Sequence, residues 1–536
     1  MNLSGVFKKV GSWRLTLSVL CGLAAGGALA ALMRLAHRSL TLPSSSIPGA
    51  ATEFVGILAV YFAMTVVSEW TLNHCAEAFE WDLRRSLTRQ ILEKPLLELE
   101  QLGIAPLLSV VTIHVKTVSA YLLFLPGAVI NFAIVVGCFA YIAWLSPLVF
   151  ALNLAFLVLA ATCYLIPEKA AERVGHAAHQ AWDRQVRQID YYLHASRLMQ
   201  LSRAKRRDFT QNHFEPVGEE VQTLNARYRM IHLFAERFAE VMVLDNLDCL
   251  LFVLPRYVDL PLATLTGLVL AALFARPSLK SLLDFFPRTQ GARLALRQMS
   301  AAGLDPLRAL PDDLPASKPS PIFRELAFDR VTFAYANDHD QAGFTSGPFS
   351  FTIRAGELVF IVGGNGAGKT TLAKLISGLY PPLGGTITLD GENVTDDSHR
   401  GSLRERVAAV YTEDPLFSHL LGVEATEIAA QGASLLETLR IAHKTSLAGT
   451  QFSTTDLSQG QRRRLSLLNA LLEKRPILIL DEWAADQDPE FRHFFYVSLL
   501  PALRGQGKTI ILITHDDRYF AVADRLIRLD GGALAA

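Results

Sequence analysis

The chain has 536 residues, 51% of them hydrophobic and 19% charged, and its 51 Lys and Arg are balanced by 51 Asp and Glu. That length has room for two or more domains, and that apolar content excludes an ordinary soluble enzyme in favour of a membrane protein. The zero formal net charge gives no sign of a nucleic-acid partner or a long charged tail.

Six stretches approach the roughly 20 apolar residues that a helix needs to cross a hydrocarbon core: residues 15–33, 54–70, 121–143, 148–166, 234–254 and 262–274 with its flanks. The last is short and the fifth carries acids. Lys8, Lys9 and Arg14 precede the first run, which is longer than a signal-peptide core and is followed by further spans. It is therefore expected to be an uncleaved span with the amino terminus in the cytoplasm. Residues 71–119 and 167–229 then fall on the cytoplasmic side, where Arg84, Arg85, Arg89, Lys94, Arg184, Arg187, Arg203, Lys205, Arg206 and Arg207 accumulate. Both segments have helical composition, so the spans are expected to continue beyond the bilayer and to touch a second domain at turns near 95–102 and 201–207. Amphipathic helices lying on the membrane surface are the alternative.

The fifth stretch contains Glu236, Glu240, Asp245 and Asp248. At 100° per residue, Glu240, Asp245 and Asp248 share an arc of about 140°, so they can face one cavity, where they would form a possible cargo path. Pairing with an arginine of a neighbouring helix is the competing reading. Cys21, Cys75, Cys138, Cys163 and Cys249 show no Cys-x-x-Cys spacing and read as small core residues. After a segment punctuated by Pro306, Pro311, Pro315, Pro319 and Pro321 the chain becomes a glycine-containing α/β sequence. The expected division is residues 1–300, a linker over 301–321, and residues 322–536.

The second part opens its chemistry after a strand-like run at 357–362. Gly363, Gly364, Asn365, Gly366, Ala367, Gly368, Lys369, Thr370 and Thr371 match the phosphate-binding loop pattern and lead into an apolar helical stretch at 372–379. Glycines let backbone N–H groups curl around phosphates, and the helix amino terminus adds its dipole. Lys369 reaches the β and γ phosphates, and Thr370 offers a hydroxyl to Mg²⁺. A second apolar strand run, 476–480, ends in Asp481 and Glu482, the first suited to holding Mg²⁺ through water and the second to orienting an attacking water. Between them stands Leu457-Ser458-Gln459-Gly460-Gln461, and His515 follows a strand at 509–514.

That order and spacing resemble the ABC transporter family, of which the Leu457–Gln461 set is the distinguishing mark. The resemblance implies a six-span α-helical transmembrane domain followed by an α/β P-loop cassette that binds ATP and Mg²⁺. It implies a homodimer in which the loop at Lys369 of one copy and Ser458, Gly460 and Gln461 of the other close on one ATP. It also implies that Tyr335 stacks on adenine, Glu482 is the catalytic carboxylate, Asp488 belongs to the loop that crosses the dimer, and His515 holds the γ-phosphate. One position departs from the family: where a glutamine is expected, near Thr412 in Val410–Phe417, there is none.

Spans first and cassette second resemble half-size exporters. Trp483 stands where a proline is more usual, and Ala484-Ala485-Asp486-Gln487-Asp488 replaces a Ser-Ala-Leu-Asp type. With the missing glutamine, this looks like exporters of cyclic peptides, lipopeptides and siderophore precursor peptides, which implies membrane lipid and a peptide-like cargo as partners and the bacterial inner membrane as location, with the cassette cytoplasmic. A broad exporter of lipids or drugs and a membrane-anchored regulatory ATPase without cargo remain open.

Overall fold

The computed structural model describes residues 12–39, 47–257, 261–306, 308, 323–335 and 344–535. Lys8, Lys9 and the proline-punctuated stretch 309–322 lie outside them. The chain divides into two compact units, Met1–Leu92 with Ala105–Leu310, and Glu93–Ile104 with Pro311–Ala536. The helices of the first stretch of chain are α1 (Ser12–Ser39), α2 (Ile47–Glu93), α3 (Leu96–Leu102), α4 (Ile104–Leu145), α5 (Pro147–His194), α6 (Ser196–Leu201), α7 (Arg203–Asp208), α8 (Glu215–Asp248) and α9 (Leu262–Ala301). α3, with the adjoining end residues Glu93 of α2 and Ile104 of α4, belongs to the second unit and the other helices to the first.

The expected apolar runs fall on the long helices α1, α2, α4, α5 and α9, except that 234–254 begins on α8 and continues past its end at Asp248. Among the described residues, Gly49–Glu93, Ile104–Leu145 and Pro147–His194 are long and apolar enough to cross a membrane, and Thr16–Leu32 is apolar but shorter. At 1.5 Å per residue, the 47 residues of α2 span about 70 Å, more than twice the ~30 Å of a hydrocarbon core. The extra length carries Arg84, Arg85 and Arg89.

Helices surrounded by lipid gain little from burying leucine, so they associate through small residues and shared polar groups. On α1, a Cβ added at Gly22 would stand 2.7 Å from Ile130 Cγ1, and one at Gly26 would stand 3.0 Å from Ala133 Cβ, so the two glycines let α1 lie close against α4. Ser18 and Ser68 join α1 to α2, each hydroxyl donating to the other's backbone carbonyl at 3.1 and 2.9 Å. The cysteines are free; Cys21, Cys75 and Cys138 are buried, and Cys163 and Cys249 are half-buried.

The cassette contains β1 (Glu325–Ala334), β2 (Thr345–Arg354), β3 (Leu358–Gly363), β4 (Gly384–Leu389), β5 (Glu392–Asn393), β6 (Val407–Val410), β7 (Leu447–Ala448), β8 (Gln451–Phe452), β9 (Ile477–Asp481), β10 (Thr509–Ile513), β11 (Arg525–Asp530) and β12 (Ala533–Leu534). Its helices are α10 (Lys369–Ile376), α11 (Asp397–Arg404), α12 (Ala425–Thr438), α13 (Gln459–Leu472), α14 (Pro489–Phe494) and α15 (Leu500–Gly505). The main sheet runs β12-β11-β3-β10-β9-β6, a smaller one β2-β1-β4-β5, and β7 pairs with β8. Apart from Thr509 and Asp481 at their ends, β3, β9 and β10 are apolar because both of their faces are covered, as expected of parallel strands. One face (Leu358, Phe360, Leu478, Leu480, Leu512) packs with α13, and the other (Val359, Ile361, Ile479, Ile513) packs with α10 and the smaller sheet.

Candidate nucleotide site

Register sets the site. β10 pairs in parallel with β3 on one side and β9 on the other, so that Ile513 lies opposite both Ile361 and Asp481. The segments that leave the carboxyl ends of these three strands therefore emerge side by side. They carry the phosphate loop, the Asp481-Glu482 pair and His515, which places ligands where open α/β sheets bind them.

The loop after β3 depends on glycine at two points. A Cβ on Gly363 would sit 2.4 Å from the carbonyl oxygen of Leu529, and Gly368 has φ +90°, a left-handed conformation, just before α10 begins. The Lys369 ammonium is buried and turned back over the loop, donating to the carbonyls of Gly363 at 3.2 Å and Gly364 at 2.9 Å. Burial holds its pKa below the usual lysine range. Thr370 Oγ1 donates to Asp481 Oδ2 at 3.1 Å, while Asp481 Oδ1 is buried with no hydrogen-bond partner. Burial raises the Asp481 carboxyl above its ordinary value, against the hydrogen bond from Thr370. A hydroxyl and a carboxylate with an unsatisfied oxygen, at the foot of a phosphate loop, are the hard oxygen donors that Mg²⁺ takes. The residues present fit that ion.

Glu482 is one of the few non-glycine residues with positive φ, at 48°. Its N–H donates to the Ile513 carbonyl at 3.1 Å and its own carbonyl accepts from Arg463 Nη1 at 2.6 Å. Held in that strained backbone, its carboxylate lies 3.1 Å from His515 Nε2, with the side chains 38% and 42% exposed. An adjoining recess of about 310 Å³ is lined by Glu482, Arg492, Tyr496, Thr514, His515 and Asp516 among others. Tyr335 is half-buried; its hydroxyl shares a hydrogen bond of 3.1 Å with Thr371 Oγ1, and its ring meets Phe333 and Tyr380 edge-on. Thr412 Oγ1 donates to the Asp481 carbonyl at 3.1 Å, so the hydroxyl at the position lacking glutamine is bound to backbone.

Ser458, Gly460 and Gln461 form a second cluster. Ser458 caps α13, its side chain accepting from Gln461 N while Gln461 Oε1 accepts from Ser458 N. Among the described residues no hydrogen bond joins this cluster to the phosphate loop. It interlocks instead with the segment after Glu482. A Cβ at Gly460 would meet the Asp486 carbonyl oxygen at 2.4 Å, Gln487 Nε2 donates to the Gly460 carbonyl at 3.0 Å, and Arg463 Nε pairs with Asp486 at 2.8 Å. Asp488 caps α14 by accepting from Phe491 N at 2.8 Å and pairs with Arg464 at 2.7 Å. Those two bonds hold its carboxyl below the usual range. Trp483 is fully buried, with Nε1 donating to the Arg463 carbonyl at 2.8 Å and its rings against Phe491 and Phe495.

Arg463 and Arg464 were not singled out from the sequence. Their signal is three consecutive arginines on a helix that is otherwise apolar on its inner face, two of them 8% and 9% exposed. Of the acids on α8, Glu240 is bridged to Arg237 on its own helix and to Arg276 of α9, the latter at 3.0 Å, and Glu236 meets Lys280 at 3.2 Å. Asp245 and Asp248 are exposed on the single chain. The turn near 95–102 is α3, assigned to the cassette unit, whereas 201–207 is the exposed α6–α7 turn of the membrane unit.

Comparisons with known proteins agree with this architecture. The family described as ABC transporter matches residues 347–485. The chain is 35% identical over 468 residues to the ATP-binding protein SyrD of Pseudomonas syringae pv. syringae, covering 85% of this chain and 82% of that one. It is 26% identical over 509 residues to the ATP-dependent lipid A-core flippase of Alkalilimnicola ehrlichii, covering 89% and 82%. A solved bacterial Atm1-family ABC exporter with ATP bound superposes with a TM-score of 0.79 at 17% identity, over 99% of this chain and 95% of that one. With a phosphate loop, a paired acid and a histidine at the carboxyl ends of neighbouring strands in one unit and membrane-length helices in the other, the chain belongs to the ABC transporter family, as an ATP hydrolase coupled to transport in a multi-pass membrane protein with the ABC exporter fold.

Proposed function

We propose that this chain is one half of a homodimeric exporter that moves a peptide-like cargo, of the cyclic peptide, lipopeptide or siderophore-precursor kind, outward across the bacterial inner membrane, with its amino terminus and cassette in the cytoplasm. The carrying observation is the separation of two incomplete clusters. Lys369, Thr370, Asp481, Glu482 and His515 gather at the carboxyl ends of β3, β9 and β10, while Ser458, Gly460 and Gln461 form the start of a different helix. Two copies arranged face to face complete each other's sites, and ATP holds them together.

In that arrangement the amides of Gly363–Lys369 and the Lys369 ammonium bind the β and γ phosphates, and Tyr335 presents its ring to adenine. Thr370 and Asp481 would hold Mg²⁺, which when bound would supply charge neutralisation along the phosphates. Glu482 orients and deprotonates the attacking water, and His515, held by the same carboxylate, donates to the γ-phosphate. The second copy's Ser458 and Gly460 close over the nucleotide and exclude bulk water.

The peptide class of cargo rests on the segment Leu480–Pro489 and the absent glutamine. The similarity to a lipid A-core flippase over 89% of the chain supports a lipid cargo as the second reading. Inside-out membrane vesicles decide between them. ATP-dependent uptake of an acylated or cyclic peptide, abolished by Glu482→Gln together with a fall of about 10²-fold or more in ATP hydrolysis, is the expected result. Movement of fluorescent phospholipid without peptide uptake favours the lipid reading, and hydrolysis without movement of either overturns both.

A further inference from the structure

Glu482 stands in a backbone conformation that its own side chain disfavours. At φ 48° and ψ 31° it is left-handed, a region that residues with a Cβ occupy only where their neighbours over-determine it. Its N–H is bound to the Ile513 carbonyl, so the amide side of the residue is fixed by β10. The carbonyl side is fixed by a side chain from another element. Arg463, on the second turn of α13, is 8% exposed and donates from Nη1 to the Glu482 carbonyl at 2.6 Å. The other donor to that oxygen, the Ala485 N–H at 3.1 Å, belongs to the turn itself.

The guanidinium is held in its turn. Its Nε pairs with Asp486 Oδ2 at 2.8 Å, and Gln459 Nε2, from the first residue of α13, donates to the same oxygen at 3.1 Å. The Trp483 indole donates to the Arg463 carbonyl at 2.8 Å, so each segment grips the backbone of the other with a side chain. The flanking arginines do different work: Arg462 Nε donates to the Leu457 carbonyl at 2.9 Å, and Arg464 binds Gln487 and Asp488. Arg463 uses its planar fork to address a carbonyl and a carboxylate at once, which a lysine ammonium on a flexible stem does not reproduce. Without that fork the carbonyl side of Glu482 can rotate toward the right-handed region. Such a rotation carries its carboxylate away from His515 Nε2, which it meets at 3.1 Å.

We propose that Arg463 is a positioning residue for ATP hydrolysis, which holds the Glu482 backbone in its left-handed conformation and so aims the carboxylate at the attacking water. Among the described residues its side-chain bonds go to the segment 482–486 and none goes to the phosphate loop, so it acts on the nucleotide through Glu482. The inference rests on the role given to Glu482 above.

The test uses the full chain in lipid nanodiscs and measures ATP hydrolysis over a range of Mg²⁺-ATP concentrations. Arg463→Gln is expected to lower kcat by about 10-fold or more with KM within about twofold of the parent's, the split of an interaction needed in the transition state and not for binding. Arg463→Lys, which keeps the charge and the stem but not the fork, is expected to give a kcat between the two. The decisive measurement is a double variant. In a Glu482→Gln background, Arg463→Gln is expected to change the residual single-turnover rate by less than about twofold, because a residue that acts through the carboxylate has nothing left to act on, whereas a damaged fold multiplies the two losses. The inference fails if Arg463→Gln keeps the parental kcat, if the loss falls on KM, or if the losses multiply in the double variant. Should Arg463→Gln not fold, Asp486→Asn, which loosens the guanidinium but leaves it in place, must show the same loss in kcat alone at about threefold, and a parental kcat there overturns the inference. Parental hydrolysis by Glu482→Gln overturns the role of Glu482 itself, whereas a loss there beside an unimpaired Arg463→Gln overturns the inference only.

Discussion

Asp481 carries a burial penalty that a bound cation would relieve. It is 3% exposed, one carboxylate oxygen has no partner, and burial raises its pKa above the unfolded value of about 3.9. A carboxyl whose folded pKa is raised binds its proton more readily when folded, so the empty cassette loses stability as pH rises from the unfolded to the folded pKa, and at neutral pH it carries a costly charge. Asp481→Asn removes that charge. We expect the variant's thermal midpoint without nucleotide to exceed the parent's at pH 7, its midpoint no longer to rise with Mg²⁺-ATP, and its hydrolysis to fall by about 10²-fold or more. Differential scanning fluorimetry with and without Mg²⁺-ATP reads the first two. The residue types were legible at this scale because phosphate, metal and water chemistry demand them at fixed spacings. What Thr412 does was not, since its bond to the Asp481 carbonyl depends on how two loops approach each other.

Among elements, the parallel strands were the most legible. Runs such as Ile477–Leu480 are apolar at every position, a pattern that a strand covered on both faces needs and an exposed one does not. The interlock of α13 with the loop after Glu482 was only half legible. Trp483 could be noted as a departure, but its burial under α13 and its bond to the Arg463 carbonyl come from packing between segments some twenty residues apart. Trp483→Ala empties a fully buried site between Phe491 and Phe495, and is expected to cost the cassette about 3–5 kcal/mol, measured as a lowered denaturation midpoint. Glu100 was invisible for a related reason. Its pair with Lys374, with side chains 38% and 20% exposed, is worth about 1 kcal/mol or less as stabilisation, and nothing in a local pattern marks it out. The close approach of α1 to α4, by contrast, has a signal in Gly22-x-x-x-Gly26, small residues one turn apart on an apolar helix.

For the molecule as a whole, the division into a helical membrane unit and a cassette could be read from the change in composition near the proline segment. That the turn near 95–102 meets the cassette was expected from the helical composition around it, but not which residues make the contact, since Glu100 and Lys374 stand 274 residues apart in sequence. The complementary halves proposed for the nucleotide site give a test at this scale. Lys369→Ala and Ser458→Arg should each silence both sites of a dimer. Mixed dimers of the two contain one intact site, so random pairing of equal amounts should recover up to about a quarter of parental ATP hydrolysis. Recovery indistinguishable from zero would sink the shared-site arrangement.

The in-register pairing of β3, β10 and β9 has one more consequence. Neighbouring strands are kept about 4.8 Å apart by their hydrogen-bond ladders, so the distances among the phosphate loop, the acid pair and His515 are built into the sheet itself. Such a frame behaves as a gauge block: its jaws do not adjust to what is set between them. Loading and unloading of nucleotide must then leave these three strands superposable from state to state, and whatever travels during a cycle has to be hung from the gauge rather than cut into it.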